Sequence, residues 1–301
     1  MNNIREILED YPYVAMDTEF PGVVARPVGD YVQNDITYHT LRVNVDMLKL
    51  IQLGLSFTDG EGNWAEGCTC WQFNFKFNME DDIHAKDSIE LLKESGIDFE
   101  KFQEQGISVP HFGELMMMSG LVLNEDVKWV TFHSGYDFGY LLKTLTCTDL
   151  PGEESAFLDV LHAYFPCIYD VKYMMTAVEG MHGGLSALGE ALNVVRIGPM
   201  HQAGSDSLLT AQTFFALIKQ HLNNHCDDSK FRGELFGLGA NHTKYKSRMY
   251  NVPTSSNGSN GASNNFNYNS QQMYNQSVLP HSSSNSGFNN NYYVDEGQDT
   301  Y

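Results

Sequence analysis

Asp17 and Glu19 stand one residue apart at the end of an apolar run, Val14-Ala15-Met16-Asp17-Thr18-Glu19-Phe20-Pro21-Gly22. In a β-strand, residues two apart project from the same face, so both carboxylates would leave the chain at one spot. Two unit charges about 4 Å apart repel by roughly 4 kcal/mol at an effective dielectric near 20, and a cation is the natural relief. An Asp-x-Glu alone is common, and two solvated carboxylates at a strand end are its ordinary meaning. Three further residues raise it above that. Asp137 lies in Phe132-His133-Ser134-Gly135-Tyr136-Asp137-Phe138, where a strand gives way to a helix; Asp206 lies at the head of the last long helix, and His201 stands five residues before it.

Each of these also has a plain structural reading. Asp137 and Asp206 suit the capping of free amides at a helix start; His201 reads equally as a surface histidine, and His133 as a buried one bonded to backbone. Taken jointly they suit one chemistry. Carboxylates from separate segments beside Asp17 can hold two divalent ions roughly 4 Å apart, which activate a water and stabilise the leaving oxygen in phosphodiester hydrolysis. An all-oxygen donor set favours Mg²⁺ or Mn²⁺ over Zn²⁺. A histidine with an ordinary pKa of about 6.5 is suited to take the proton from the attacking water.

The elements that would position these groups are legible from periodicity. Tyr11 to Asp17 reads as a strand, Leu50 to Phe57 as a second and Trp71 to Phe77 as a third, with a Gly-rich turn at Asp59 to Asn63. Three strands joined this way predict an antiparallel meander. Helical texture follows around Ile83, Ile89, Leu91 and Leu92 and again over Phe112 to Met118, each segment closed by a glycine, Gly96 or Gly120. Lys128 to Phe132 reads as a strand, Tyr136 to Leu145 as a helix, Cys167 to Val171 as a short strand and Leu185 to Leu192 as a helix. The last long helix starts near Ser205 with a stripe of Leu208, Ala211, Phe215, Ile218 and Leu222. The expected class is α/β, a mixed sheet of five to six strands covered by helices.

Composition sets the frame. The chain has 301 residues, 42% hydrophobic and 12% aromatic, enough for one large core or two small ones. It has no apolar run of about 18 residues and no basic-then-apolar leader at its N-terminus, which predicts neither a membrane span nor a secretory signal. A formal charge of −20 argues against a broad basic nucleic-acid surface but not against an acidic centre that holds phosphates through metals. Five cysteines without metal-ligand spacing fit reduced thiols in the cytosol or nucleus, so the sequons at Asn241, Asn257 and Asn275 carry no weight. From Asn251 onward the last 51 residues hold 12 Asn and 10 Ser and no Lys or Arg. The division expected is a nuclease domain over 1–245 and a disordered Asn/Ser-rich tail over 246–301.

The motifs Asp17-Thr18-Glu19, His133-x-x-x-Asp137 and His201-x-x-x-x-Asp206 resemble, in order, spacing and residue type, the three exonuclease motifs of the DEDD superfamily in its histidine-bearing, DnaQ-type branch. The flanking runs Val14 to Pro27, Phe132 to Leu141, Tyr169 to Tyr173, Arg196 to Thr210 and Phe236 to Gly239 resemble the Caf/Pop-type deadenylase subunit of the Ccr-Not complex, over residues 4 to 240. About ten residues precede the first strand, shorter than the helical lead-in usual in that family.

The resemblance implies a ribonuclease H-like fold and 3′ to 5′ shortening of messenger poly(A) tails with release of AMP. It implies metal ligation by Asp17, Glu19, Asp137 and Asp206 and general-base action by His201. The partners it implies are a poly(A) RNA 3′ end, the scaffold and second nuclease subunits of the complex, and Tob/BTG-type antiproliferative proteins. Nothing in the residues themselves reads an adenine edge or a 2′-hydroxyl, so an adaptor role and an exonuclease acting on other RNA or DNA ends stay open alongside. Phe20 suits either core packing or stacking on a terminal nucleotide; Glu179, Lys172 and Arg26 read as surface charges.

Overall fold

The run that ends in Asp17 and Glu19 is the middle strand of a five-stranded sheet. In the computed structural model, which describes residues 1–28 and 33–239, α1 (Asn2–Asp10) leads into β1 (Tyr13–Glu19), α2 (Gln33–Met47), β2 (Gln52–Thr58) and β3 (Cys70–Asn74). Next come α3 (Lys86–Glu94), α4 (Phe99–Gln105), α5 (Val109–Met117), β4 (Lys128–Thr131), α6 (Gly135–Thr146), α7 (Glu154–Tyr164) and β5 (Ile168–Asp170). The described chain closes with α8 (Val171–Met175), α9 (Leu185–Ala191), α10 (Ala203–His221) and α11 (Asp228–Phe231). The tail and its sequons lie outside the described residues. Among those described, no helix is long and apolar enough to cross a membrane.

Strand order is β3-β2-β1-β4-β5: the first three strands pair antiparallel, and β4 and β5 join in parallel. This is the expected meander with strand–helix alternation appended. The period of two along β1 separates the two larger of three hydrophobic clusters among the described residues, the third lying around Ile51, Phe77, Ile89 and Phe99. Val14 and Met16 enter one with Trp129, Tyr38 of α2, Phe112 of α5, Phe138 of α6 and Phe157 of α7. Ala15 enters the other with Val130, Met174 of α8, Leu188 of α9 and Phe214 and Leu217 of α10. Asp17 and Glu19 continue the parity of Ala15, so they emerge on the α10 side of the sheet.

Two details depart from the sequence reading. Helix α10 begins at Ala203, and its buried face runs through Ser207, Thr210, Ala211, Phe214 and Leu217; of the expected stripe Ala211 is fully buried, and Leu208, Phe215, Ile218 and Leu222 are half-buried. The helix lies against the polar row of the meander, so hydroxyl residues are the buried ones; Ser207 Oγ meets Ser56 Oγ of β2 at 2.7 Å. The short lead-in is itself helical: Ile4 of α1 is buried in the first core, and Arg5 Nε donates to the Met118 carbonyl at 2.9 Å.

Candidate active site

The end of β1 and the first turn of α10 bring three carboxylates together: oxygens of Asp17, Glu19 and Asp206 all lie within 4.8 Å of one another. Gly54 makes this approach possible. It is the cross-strand partner of Asp17, and a Cβ there would lie 2.0 Å from the Ala203 carbonyl oxygen and 2.5 Å from the Gly204 nitrogen. Only a strand without a side chain at this point lets the head of α10 reach the sheet.

Asp137 arrives from the opposite side. It sits in the first turn of α6, which packs on the other face, and is buried beneath the strand end. Thr18, whose side chain points away from those of Asp17 and Glu19, donates to Asp137 Oδ1 at 2.6 Å and so couples the two faces. Asp137 thus stands outside the three-carboxylate group but adds its charge to Asp17 and Glu19. The start of α6 is fixed by Asp170, fully buried at the end of β5. Its carboxylate accepts from the amides of His133 at 2.8 Å, Ser134 at 3.3 Å, Lys172 at 2.9 Å and Phe236 at 3.0 Å. His133 therefore serves the backbone, at a φ of 59° with its ring edge-on to Phe236, and is no part of the carboxylate group.

His201 precedes α10, its φ at 60°, and its amide donates to Asp206 Oδ2 at 2.9 Å. Burial pulls its imidazole below the ordinary histidine value; the charge of Asp206 works against this and that of Arg196 with it. Arg196 is the residue that motif spacing alone does not mark as part of the site. Its Nη1 reaches Asp206 Oδ1 at 2.6 Å and its Nη2 the Ser186 hydroxyl at 3.0 Å. It stands ten residues before Asp206 on a loop, where no local pattern announces the contact. Phe20 stacks on Tyr136 at 5.1 Å and lies 5.2 Å from the Tyr140 ring, half-buried against the core on the α6 side.

Burial, followed by the charges of Asp206 and Asp137, pushes Asp17 and Glu19 well above the ordinary carboxylate range, and Arg196 is the cation that opposes the rise. Burial likewise pushes Asp137 up to about 6, against the Thr18 hydrogen bond. Three carboxylates beside one guanidinium, with Asp137 behind them, form an oxygen donor set that suits hard divalent cations.

A mixed sheet of this order, with acidic groups converging at the end of its middle strand, is a ribonuclease H-like fold. The chain belongs to the CAF1 ribonuclease family, whose model matches residues 1–110 and 117–214. It is 53% identical over 242 residues to "Poly(A) ribonuclease pop2" of Schizosaccharomyces pombe, covering 80% of this chain and 72% of that one. To "Probable CCR4-associated factor 1 homolog 7" of Arabidopsis thaliana it is 53% identical over 246 residues, 78% of this chain and 88% of the other. The Mg²⁺- and Mn²⁺-bound form of S. pombe Pop2p superposes with a TM-score of 0.77 at 52% identity, covering 79% of this chain and 94% of that one. Yeast CAF1, co-crystallised with the MIF4G domain of NOT1, gives 0.67 at 33% identity, covering 78% and 91%.

Proposed function

We propose that the protein is a metal-dependent 3′ to 5′ exoribonuclease that shortens poly(A) tails and releases AMP. The observation that carries this is the convergence of Asp17, Glu19 and Asp206 oxygens within 4.8 Å in a chain 53% identical to a poly(A) ribonuclease. In this reading Asp17, Glu19, Asp206 and Asp137 hold two divalent ions, Mg²⁺ or Mn²⁺. Bound there, the ions supply charge neutralisation at the scissile phosphate and a more acidic water. The chain's own residues do the rest. His201, neutral near pH 7 because burial lowers its pKa, accepts the proton of the attacking water. Thr18 holds the Asp137 carboxylate in one orientation, and the Phe20–Tyr136 stack offers an aromatic surface for the terminal nucleotide.

Partners follow the same reading: a scaffold with a MIF4G-type domain, a second nuclease subunit and Tob/BTG-type proteins. A scaffold of that kind stands beside yeast CAF1 in the structural neighbour, and the other two rest on the sequence resemblance. All five cysteines are free, which suits work in the cytosol or nucleus.

The test is purified protein with poly(A), poly(U) and single-stranded DNA of equal length, with Mg²⁺, with Mn²⁺ and with excess chelator. AMP release from poly(A), lost in chelator and in Asp17→Ala or Asp206→Ala, is expected. Activity surviving in either variant would remove the two carboxylates from the chemistry. Equal rates on all three polymers would remove the poly(A) preference. A folded protein inert on every substrate would point to an adaptor.

A further inference from the structure

Two rows of residues cross the meander on the α10 side of the sheet: Asp17–Gly54–Gln72 and Glu19–Gln52–Asn74. The glutamines beside the acidic pair do not face open cleft. Gln52 Oε1 accepts from the Ala203 amide at 3.2 Å and Gln72 Oε1 from the Gly204 amide at 2.9 Å. The first two amides of α10 are therefore capped by neighbouring strands, and the helix's own N-cap residue, Gln202, makes no side-chain cap.

Gln202 instead joins these groups to the loop that carries His201. Its Oε1 accepts from Gln52 Nε2 at 3.1 Å and from Gln72 Nε2 at 3.0 Å, and its Nε2 donates to the Ser95 carbonyl at 3.1 Å. The Ser95 hydroxyl in turn donates to the His201 carbonyl at 2.9 Å. His201 is a non-glycine residue at a φ of 60°. Such a conformation is strained and persists only where its surroundings over-determine it. The peptide that links His201 to Gln202 is clamped from both sides, by Ser95 on the His201 carbonyl and by three amide hydrogen bonds on the Gln202 side chain.

We infer that Gln202, seated on Gln52 and Gln72 of the sheet and on Ser95, is a positioning residue that fixes His201 over the site. The inference rests on His201 acting as the base. The Gln202 side chain makes no hydrogen bond to the carboxylates or to Arg196; its three bonds run to the strands and to the turn after α3, while its backbone carbonyl accepts from the Asp206 amide at 3.0 Å, a bond that a change of side chain leaves in place. It acts on the step His201 performs and leaves the carboxylate group in place.

Steady-state kinetics on poly(A) with Gln202→Met, Ser95→Ala, His201→Ala and the Gln202→Met/His201→Ala double variant test this. Methionine keeps the length of the side chain and removes all three hydrogen bonds. Gln202→Met is expected to lower kcat by about ten-fold, as loss of alignment does, with KM and the half-saturating Mg²⁺ concentration within about two-fold of wild type. Ser95→Ala, a mild change that preserves the fold, should show the same split with a smaller loss. In the His201→Ala background, itself slowed by about a hundred-fold or more as loss of a general base predicts, Gln202→Met should cost nothing further. Three results overturn the inference: equal losses in both backgrounds, a half-saturating Mg²⁺ concentration that rises in step with the fall in kcat, or wild-type kcat in Gln202→Met and Ser95→Ala. Wild-type kcat in His201→Ala removes the base itself, and the inference with it. Slow His201→Ala beside normal Gln202→Met removes only the inference.

Discussion

Asp137 holds its proton more tightly in the fold than in the unfolded chain, because burial and the neighbouring Asp170 charge push its carboxyl up to about 6 against the Thr18 hydrogen bond. Asp17 and Glu19 are displaced in the same direction. A carboxyl raised on folding stabilises the native state while protonated, fully below the unfolded value near 4, and that contribution is lost as pH rises through the folded value. For Asp137 it amounts to about 2–3 kcal/mol, from roughly 1.4 kcal/mol per pKa unit. By neutral pH the metal-free protein carries this cost, mostly that of burying the charge, in full. Its thermal midpoint in chelator should therefore fall more steeply between pH 4.5 and 6.5 than that of Asp137→Asn, and added Mg²⁺ should close the gap above that range. Equal slopes for the two proteins would show that Asp137 does not titrate there. The same reasoning makes Asp17→Asn more stable than wild type in chelator at pH 7.5 while AMP release disappears, the usual exchange of stability for activity at a charged site.

At the scale of elements, the site depends on how closely α10 approaches the meander, and Gly54 sets that distance. Alanine at 54 drives a methyl group into the backbone of Ala203 and Gly204, so the head of α10 must move and carry Asp206 away from Asp17. The expected outcome is loss of most activity, about a hundred-fold or more for a displacement near 1 Å, and loss of the rise in thermal midpoint that Mg²⁺ gives the wild type. Alanine at Gly60, whose Cβ would meet only the Tyr13 ring at 3.6 Å, should leave both unchanged; a Gly54→Ala protein that keeps its Mg²⁺ response would mean the helix head has room to spare. The acidic pair, the strands and the helix carrying Asp206 were legible because each follows a local period. Helix α2 is harder to see: Tyr38, Leu41, Val45 and Leu48 recur at helical spacing, but the fully buried Asn44 interrupts them. Its amide is spent on the segment after β1, accepting from Val24 and Ala25 and donating to the Ala25 carbonyl. Gly54, Thr18 and Arg196 matter through partners that lie far along the chain, and no window of sequence contains both halves of such a contact.

Across the whole molecule, the segment that follows α10 ties the two cores together at the β5 edge. Phe231 is buried in the core on the α10 side, while Leu235 and Leu238 are buried in the core on the α6 side. Between them the Gly233 amide donates to the Ile168 carbonyl of β5 at 2.9 Å, and the Phe236 amide reaches Asp170. The segment thus covers an edge strand whose backbone would otherwise stand open, and through Asp170 it steadies the loop ahead of Asp137. Burying three large apolar side chains contributes about 1.5–3 kcal/mol each, a sum comparable with the whole stability of a domain, about 5–15 kcal/mol. We therefore propose that this segment belongs to the catalytic unit, residues 1–245, and that the Asn/Ser-rich residues beyond 245 are dispensable for its folding and chemistry. A protein ending at Tyr245 should unfold cooperatively at the full-length midpoint and release AMP from poly(A) at the full-length rate. One ending at Cys226, without Phe231, Leu235 and Leu238, should lose its cooperative transition. A large loss of rate in the longer truncation would assign the tail a part in holding RNA, and a cooperative, active shorter one would show that the two cores stand without their clasp.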